Sequence, residues 1–152
     1  MATRRALARP DPLDRTLTYR LHQLKKLTDL ASQEGFAQAA GLSMSDGRAL
    51  TTIGSFEPLS VKDLAQRSNL DKSQASRAAQ ALIDQGLARK DDHPDDGRGV
   101  VLSLTAEGRR RCDAALAMVA RRNEDIAGCL SAAERRLFSD LLDRLIDHNR
   151  RA

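Results

Sequence analysis

Two helix start signals eleven residues apart, at Ser60 and Asp71, constrain the fold more than any other feature of the sequence. Serine and aspartate are favoured N-cap residues, and each is followed three positions later by an acid or an amide that can return a hydrogen bond to the cap. The residues at 68–70, Ser-Asn-Leu, have the composition of a tight polar turn, and Gly86 is a helix stop. The segment therefore predicts a short helix, a tight turn and a longer second helix.

A β-hairpin is predicted directly after the second helix. Residues 87–90 and 100–104 favour two strands, and the segment between them contains Pro94 and the dipeptide Asp96–Gly97, which are typical of a hairpin tip. A short helix, a turn, a longer helix and a two-stranded ribbon with a charged tip together predict a winged helix-turn-helix. The expected fold class is therefore mainly α, with a two-stranded β-wing.

The second of the two helices has the chemistry of a DNA-reading helix. An α-helix fits the major groove and presents the residues near its N-terminus to base edges. Here those residues are small hydroxyls, an amide and two cations, all able to contact bases or phosphates: Lys72, Ser73, Gln74, Ser76 and Arg77. We expect Lys72 to meet a phosphate. Three alanines, Ala75, Ala78 and Ala79, are interpreted as keeping the helix slim enough to approach the groove closely.

The predicted hairpin tip adds Arg98, a long cation that can enter a minor groove. Two residues earlier, Asp96 would repel the phosphate backbone if it touched DNA. We therefore expect Asp96 to orient Arg98 through a salt bridge and not to contact DNA itself.

Long amphipathic helices are predicted on both sides of this lobe. On the N-terminal side, leucines recur at spacings of three and four from Leu13 to Leu30, and Gly35 is the predicted stop. A short helix that starts at Ser43 is expected to end at Gly54.

On the C-terminal side, Thr105 starts a long helix and Ser131 starts the last one. The long helix has a regular four-three seam: Cys112, Leu116, Val119, Asn123, Ile126 and Leu130. The last helix carries adjacent apolar pairs: Leu137, Phe138, Leu141, Leu142, Leu145 and Ile146. So wide a stripe on a terminal helix exceeds what one small domain needs, which predicts an oligomer interface shared with the first helix.

Composition argues against several other classes of protein. With 152 residues, a net charge of +4 and only 3% aromatic residues, the chain suits a polyanion partner but not base-stacking on single strands. No apolar run approaches the roughly 20 residues that cross a bilayer, and the N-terminus lacks an apolar signal core, so we expect a cytoplasmic protein without membrane contact. The histidines are scattered, and no phosphate loop or catalytic set is evident, so no enzyme activity, cofactor or metal is expected.

Several stretches together form a pattern more specific than a helix-turn-helix alone. Leu-Ala stands at 64–65, Leu-Asp-Lys-Ser-Gln-Ala-Ser-Arg at 70–77 and Leu-Ile-Asp-Gln-Gly-Leu at 82–87. The most specific part is Asp-Gly-Arg at 96–98, followed by Leu-Ser-Leu-Thr-Ala-Glu-Gly at 102–108. In these stretches, residues 43–111 resemble the MarR family of bacterial transcription regulators, and the flanking helices lie where that family has its dimerisation helices.

The resemblance implies a homodimer that reads a pseudo-palindromic double-stranded operator with two recognition helices and two wings. It also implies repression that is relieved by a small organic effector, often an aromatic carboxylate or phenol, bound between the dimer helices and the DNA-binding lobe. The chain then divides into a flexible basic arm (1–12), an N-terminal dimerisation helix (13–42), the winged helix-turn-helix lobe (43–104) and C-terminal dimerisation helices (105–152).

Four residues are candidates for the effector site. Arg20 falls within the arc of the first helix's leucines, where a guanidinium needs a partner, either an acid across the dimer or the carboxylate of a ligand. His22, Met44 and Met118 are further candidates, although His22 points to the other side of the helix and the methionines also suit the core. Gly47 stands where the family often has a large aromatic ring, so its presence either enlarges a pocket beside Met44 or only weakens a helix.

Two alternative functions remain at this point. Cys112 and Cys129 lie 17 positions apart in one predicted helix, or roughly 25 Å, which is too far for a disulfide between them. Either thiol could still serve a redox-modulated or ligand-independent DNA-binding regulator. The winged helix could also be a protein-interaction module, because the fold alone does not settle function.

Overall fold

The computed structural model describes residues 11–93, 95 and 99–151, and within them it confirms a mainly helical fold with a two-stranded wing. A short 3-10 turn, Leu13–Arg15, precedes the first helix, which begins later than the leucine pattern predicted. In chain order the elements are α1 (Leu17–Ala40), α2 (Met44–Phe56), α3 (Val61–Ser68), α4 (Lys72–Asp84), β1 (Ala88–Asp92), β2 (Val100–Leu104), α5 (Ala106–Ile126) and α6 (Ala132–Arg150).

The helix start signals of the sequence act as N-caps. Each cap side chain accepts a hydrogen bond from the backbone N–H three positions later, at 2.7–3.3 Å: Ser43, Ser60, Asp71, Thr105 and Ser131. At three of them the third residue also returns a bond to the cap's backbone, which completes a capping box: Ser60, Asp71 and Ser131. These local bonds satisfy N–H groups that the helices leave free, so the starts of α2 to α6 follow directly from the sequence.

Two predicted helix stops are wrong, because Gly35 and Gly54 lie inside α1 and α2. A Cβ atom at Gly35 would lie 2.5 Å from the Met118 sulfur, and one at Gly54 would overlap the Cys112 sulfur. Both glycines therefore let α5 pack closely against the two helices. α1 ends instead at Gly41, whose φ of 64° is left-handed.

Gly47 opens no pocket beside Met44, so that interpretation is also wrong. The ring of Phe36, which is buried, lies so close to Gly47 that a Cβ there would overlap it. An aromatic ring thus fills this space, but it comes from α1.

The wing is an antiparallel hairpin in which Ala88 pairs with Leu104 and Asp92 with Val100. β1 starts one residue later than predicted and extends to Asp92, while β2 has the predicted bounds. On its other edge, β2 forms a short bridge in which the backbones of Leu59 and Leu102 exchange hydrogen bonds of 2.8 and 3.3 Å.

The core lies between α2, α3, α4 and the base of the wing, and α5 closes it with Gly108, Cys112, Ala115 and Met118. This is not the predicted seam of α5, of which only Cys112 is buried. Gly108, Cys112 and Ala115 are small and permit close packing within the chain. Of the seam, Val119 packs partly against this core, whereas Leu116 and Ile126 stay exposed.

Two helices keep large apolar side chains at the surface. No residue of α6 is buried, and the predicted leucine stripe of α1 is exposed as well: Leu17, Leu21, Leu24, Leu27 and Leu30. Within the part of the chain that the structure describes, no helix has the length and hydropathy of a membrane span.

Candidate nucleic-acid interface

The exposed face of α4 carries every predicted DNA-contacting residue of that helix. The side chains lie at the surface over the first turn and a half: Lys72, Ser73, Gln74, Ser76 and Arg77. The opposite face is buried against the core, where Ala75, Ala78 and Ala79 are at most 2% exposed. The interpretation that the alanines keep the helix slim for its approach to the groove is therefore wrong, because they face the core. They let α4 sit close to α2 and α3, and this packing fixes its outward face.

The capping box of α4 engages one of the predicted base-contacting side chains. The Gln74 N–H donates to Asp71 Oδ1 at 2.7 Å, and Gln74 Oε1 accepts from the Asp71 N–H at 3.1 Å. The carbonyl end of Gln74 is thus used inside the protein, and its amide NH₂ group remains available. The sequence signals for the cap and for base contact coincided on this residue.

Arg77 is oriented along the helix by its neighbour one turn earlier. Its Nη1 donates to the Ser73 hydroxyl at 2.6 Å, and both side chains are exposed. A guanidinium with five N–H donors keeps most of them free after one such bond. Arg77 therefore presents a preoriented cation on the outer surface of α4.

The wing lies beside this helix, and only its lower part can be described. Arg98 and Asp96, the predicted minor-groove cation and its orienting acid, lie outside the described residues. At its base, exposed Arg89 pairs with Asp91 at 3.0 Å, and Lys90 is exposed. Beyond the ladder, the His93 N–H donates to the Gly99 carbonyl at 2.8 Å and continues the hairpin towards its tip.

The four candidate effector residues are not brought together within one chain. Arg20 and His22 are exposed on α1, Met44 is half-buried, and Met118 is buried against Gly35. Since Arg20 precedes Gly35 by 15 residues, about 22 Å of helix separates it from Met118. Within the described chain, the open groove of about 510 Å³ between α1 and α5 is lined by Met118 but by none of the other three.

An ion pair joins α1 to α2 near this region. Arg48 Nη2 lies 2.8 Å from Asp29 Oδ1, and Lys25 binds the same carboxylate. The hydrogen bond from Lys25 is the main cause that holds the pKa of Asp29 below its ordinary value of 3.8; burial opposes it, and the charges of Arg48 and Lys25 support it. This carboxylate therefore stays ionised and holds the two helices together.

The two cysteines differ in environment. Cys112 is fully buried, and burial raises the pKa of its thiol above the ordinary value of 9.0. Cys129 is exposed and lies beyond the end of α5, not within it as predicted. Because the thiolate is the reactive form, Cys112 is poorly suited to redox sensing. Among the described residues, no group of His, Cys, Asp and Glu side chains could hold a metal ion.

Sequence reasoning missed Glu57 and Arg109, which form an ion pair at the base of the wing. Glu57 Oε2 also accepts from the Leu104 N–H at 2.7 Å, and Arg109 Nη1 donates to the Gly54 carbonyl at 3.1 Å. No sequence signal relates two residues 52 positions apart, and only the fold brings them together.

Comparison with known proteins gives one consistent assignment. The MarR family model matches residues 40–99. YxaD of Bacillus subtilis (strain 168), described as an uncharacterized HTH-type transcriptional regulator, is 31% identical over 108 residues, which cover 71% of this chain and 76% of that protein.

Solved structures share the whole fold. A MarR/EmrR family transcriptional regulator from Acinetobacter sp. ADP1 superposes with a TM-score of 0.83 at 22% identity, over 93% of this chain and 100% of the other. BpsR of Bordetella bronchiseptica, whose DNA binding is regulated by 6-hydroxynicotinic acid, superposes with a TM-score of 0.79 at 19% identity. The match covers 91% of this chain and 98% of the BpsR chain. With its winged helix, its exposed polar α4 and its relatives, the chain belongs to the MarR family of DNA-binding transcriptional regulators.

Proposed function

We propose that the protein is a homodimeric repressor that binds a pseudo-palindromic operator through α4 and the wing and is released by a small aromatic carboxylate or phenol. The observation that carries the proposal is the α4 face, where hydroxyls, an amide and two cations are all exposed on a helix whose other side is buried. A helix held in this way matches the geometry with which a recognition helix enters the major groove.

The homodimer is supported by the exposed apolar faces of α1 and α6. Large side chains of α6 are 41–59% exposed although they form one continuous stripe: Leu137, Phe138, Leu141, Leu145 and Ile146. A contiguous apolar stripe of this kind favours burial against a second copy of the chain. In this proposal residues 13–42 and 105–152 assemble the dimer, and residues 43–104 read the DNA.

The ligand class is supported by the regulation of BpsR by 6-hydroxynicotinic acid, a heteroaromatic carboxylate. In this chain Arg20 remains the candidate anchor for such a carboxylate, because it is exposed on the leucine-bearing helix and has no ion-pair partner among the described residues. Ligand would favour a dimer whose two recognition helices no longer match successive major grooves, which lowers operator affinity.

The test starts from a duplex enriched by the protein from a randomised pool. Binding of this duplex and of random duplex is measured by fluorescence anisotropy at two salt concentrations. We expect Arg77→Ala to lose specific binding by about tenfold or more, because a good base contact contributes about 1–3 kcal/mol of discrimination. Arg136→Ala, which removes an equal charge from the exposed first turns of α6, is the matched control.

Equal affinity of Arg77→Ala and the control would contradict the α4 assignment. If no duplex is enriched and the salt dependence is weak, DNA recognition itself is wrong and the protein-interaction alternative replaces it.

The effector part has its own experiment. With 6-hydroxynicotinic acid and a set of benzoic and phenolic acids as probes, Arg20→Ala should bind the enriched duplex normally but require more acid for release. Lys26→Ala, an exposed cation of the same helix, controls for charge. Unchanged release in Arg20→Ala would assign that arginine a structural role.

A further inference from the structure

The first turn of α5 is fixed to the lobe at one place, which we call the α5 junction: Thr105, Gly108, Arg109 and Glu57. Thr105 donates twice to the end of α4 and the start of the wing, from its N–H to the Leu87 carbonyl at 3.0 Å and from its hydroxyl to the Gly86 carbonyl at 2.6 Å. Gly108 lies so close to the Leu87 carbonyl that a Cβ would overlap it. These contacts fix where α5 begins.

Glu57 ties the junction to the wing. Its Oε2 accepts from the Leu104 N–H at 2.7 Å, two residues beyond the bridge between Leu59 and Leu102. Backbone N–H groups two positions apart face the same side of a strand, so the Glu57 carboxylate continues along β2 the pairing that the Leu59 backbone begins. The outer edge of β2 is thus held at both positions by the segment 57–59.

Arg109 closes the arrangement from the side of α5. Its guanidinium pairs with the other carboxylate oxygen of Glu57, Oε1, and Nη1 donates to the Gly54 carbonyl near the end of α2 at 3.1 Å. Both oxygens of Glu57 are therefore engaged, and its side chain is only 23% exposed. One ion pair joins α2, β2 and α5, the three elements that meet where α5 leaves the lobe.

We propose that Glu57 and Arg109 are positioning residues for DNA recognition, which fix the angle between α5 and the wing. The inference rests on the proposed function, in which α5 connects the lobe to the dimer. In such a dimer that angle sets the separation of the two recognition helices, so the ion pair defines which half-site spacing the protein accepts. Neither residue needs to touch DNA for this role.

The test measures affinity as a function of half-site spacing. The probe is the duplex enriched from the randomised pool, together with versions in which the half-sites are moved by one base pair in either direction. Glu57→Gln keeps an acceptor for the Leu104 N–H but loses the charge that holds Arg109. We expect about a tenfold loss at the native spacing and a smaller loss at the altered spacings, so that the spacing preference flattens.

The loss of one negative charge, taken alone, predicts that Glu57→Gln binds DNA more tightly, which is the opposite of the expected change. Removing an acid from a protein that binds a polyanion should strengthen binding, so a loss cannot arise from long-range electrostatics. Arg109→Gln should flatten the preference in the same way, and the double variant should lose little more than either single one, because the two residues act as a pair. Arg110→Gln is the matched control, since among the described residues Arg110 pairs with Glu107 alone, on the exposed side of the same helix turn.

An equal loss at every spacing would overturn the inference, because it would show a general structural role. An unchanged spacing preference in both Glu57→Gln and Arg109→Gln would overturn it as well. Should Glu57→Gln unfold, Arg109→Gln, which removes the other charge of the pair, provides the same comparison. Failure of the DNA-binding proposal is seen separately, in the response of Arg77→Ala.

Discussion

At the scale of the residue, Gly108 shows how a single hydrogen in place of a methyl group determines where α5 can start. A Cβ there would overlap the Leu87 carbonyl, which belongs to the backbone and cannot rotate away. Helix propensity alone predicts that Gly108→Ala stabilises the protein by about 1 kcal/mol. We expect the overlap to reverse the sign and to lower the free energy of unfolding by about 2 kcal/mol or more, measured by urea denaturation.

The control is Ala114→Gly at an exposed position of the same helix. Helix propensity alone should lower its free energy of unfolding by about 1 kcal/mol. A stabilising effect of Gly108→Ala would show that α5 can shift away from the wing.

The two thiols give a second prediction at this scale. Cys129 is exposed, whereas Cys112 is buried. Because burial raises the pKa of the Cys112 thiol, Cys112 stays protonated through neutral pH. Iodoacetamide should therefore alkylate the native protein once, and Cys129→Ser should remain unlabelled until it is denatured. Rapid labelling of Cys112 in native Cys129→Ser would restore Cys112 as a candidate redox sensor.

Sequence reasoning identified the residues of the α4 face but misjudged glycines and alanines. A glycine that ends a helix and a glycine that admits a neighbouring side chain look alike along the chain. Gly54 is of the second kind, because it admits the side chain of Cys112, which lies 58 positions away in the sequence. In the same way, the alanines of α4 are small because of what lies behind them in the core, which no local pattern reveals.

At the scale of the element, the starts of α2 to α6 could be predicted because a cap and its partner are three residues apart. The buried face of α5 could not be predicted, since the regular seam that includes Leu116 and Ile126 competes with a second face, mostly of small residues, that fits the chain's own α1 and α2. Periodicity shows that a helix has an apolar side, whereas packing decides which side meets which partner.

The Asp29 carboxylate, bound by Lys25 within α1 and by Arg48 of α2, predicts a pH-dependent stability. Because the pKa of Asp29 is lowered in the folded state, its contribution is present above the unfolded value and is lost as pH falls through the lower, folded value. Asp29→Asn should therefore be less stable than the natural protein at pH 7, and the difference should shrink as pH falls below about 4. Chemical denaturation at several pH values measures this.

Asp113→Asn serves as the comparison, because Asp113 is exposed on α5 and has no ion-pair partner among the described residues. A gap between Asp29→Asn and the natural protein that stays constant down to acid pH would contradict the assignment of the charge effect to Asp29.

At the scale of the whole molecule, the unburied α6 stripe determines how the protein should behave in dilute solution. If this face pairs with a second copy, two cations within it will disfavour association, since charges buried without partners are costly. The double variant Leu141→Lys with Leu145→Lys is expected to shift the protein from dimer to monomer in sedimentation velocity. Val100→Lys, an equally apolar and exposed position in the wing, should leave the oligomeric state unchanged.

A monomer at all concentrations of the natural protein would exclude the homodimer.

The predicted effector residues also belong to the scale of the whole molecule. Arg20 and Met118 are about 22 Å apart along α1 in one chain, so a shared site would need the second copy. The sequence pattern could name the residues but not the chain from which each one comes.

In the proposed complex with DNA, the capping bond of Gln74 limits which bases α4 can contact. Adenine is read in the major groove by an amide that donates and accepts at once, whereas guanine offers two acceptors to a donor. With its carbonyl oxygen held at the Asp71 N–H, Gln74 turns its NH₂ group outward, and the two cations of the same face, Lys72 and Arg77, are donors as well. The serine hydroxyls of this face donate and accept, so they do not discriminate between the two bases. As long as this cap is kept, the half-sites enriched from a random pool should carry guanine more often than adenine opposite the first turn of α4.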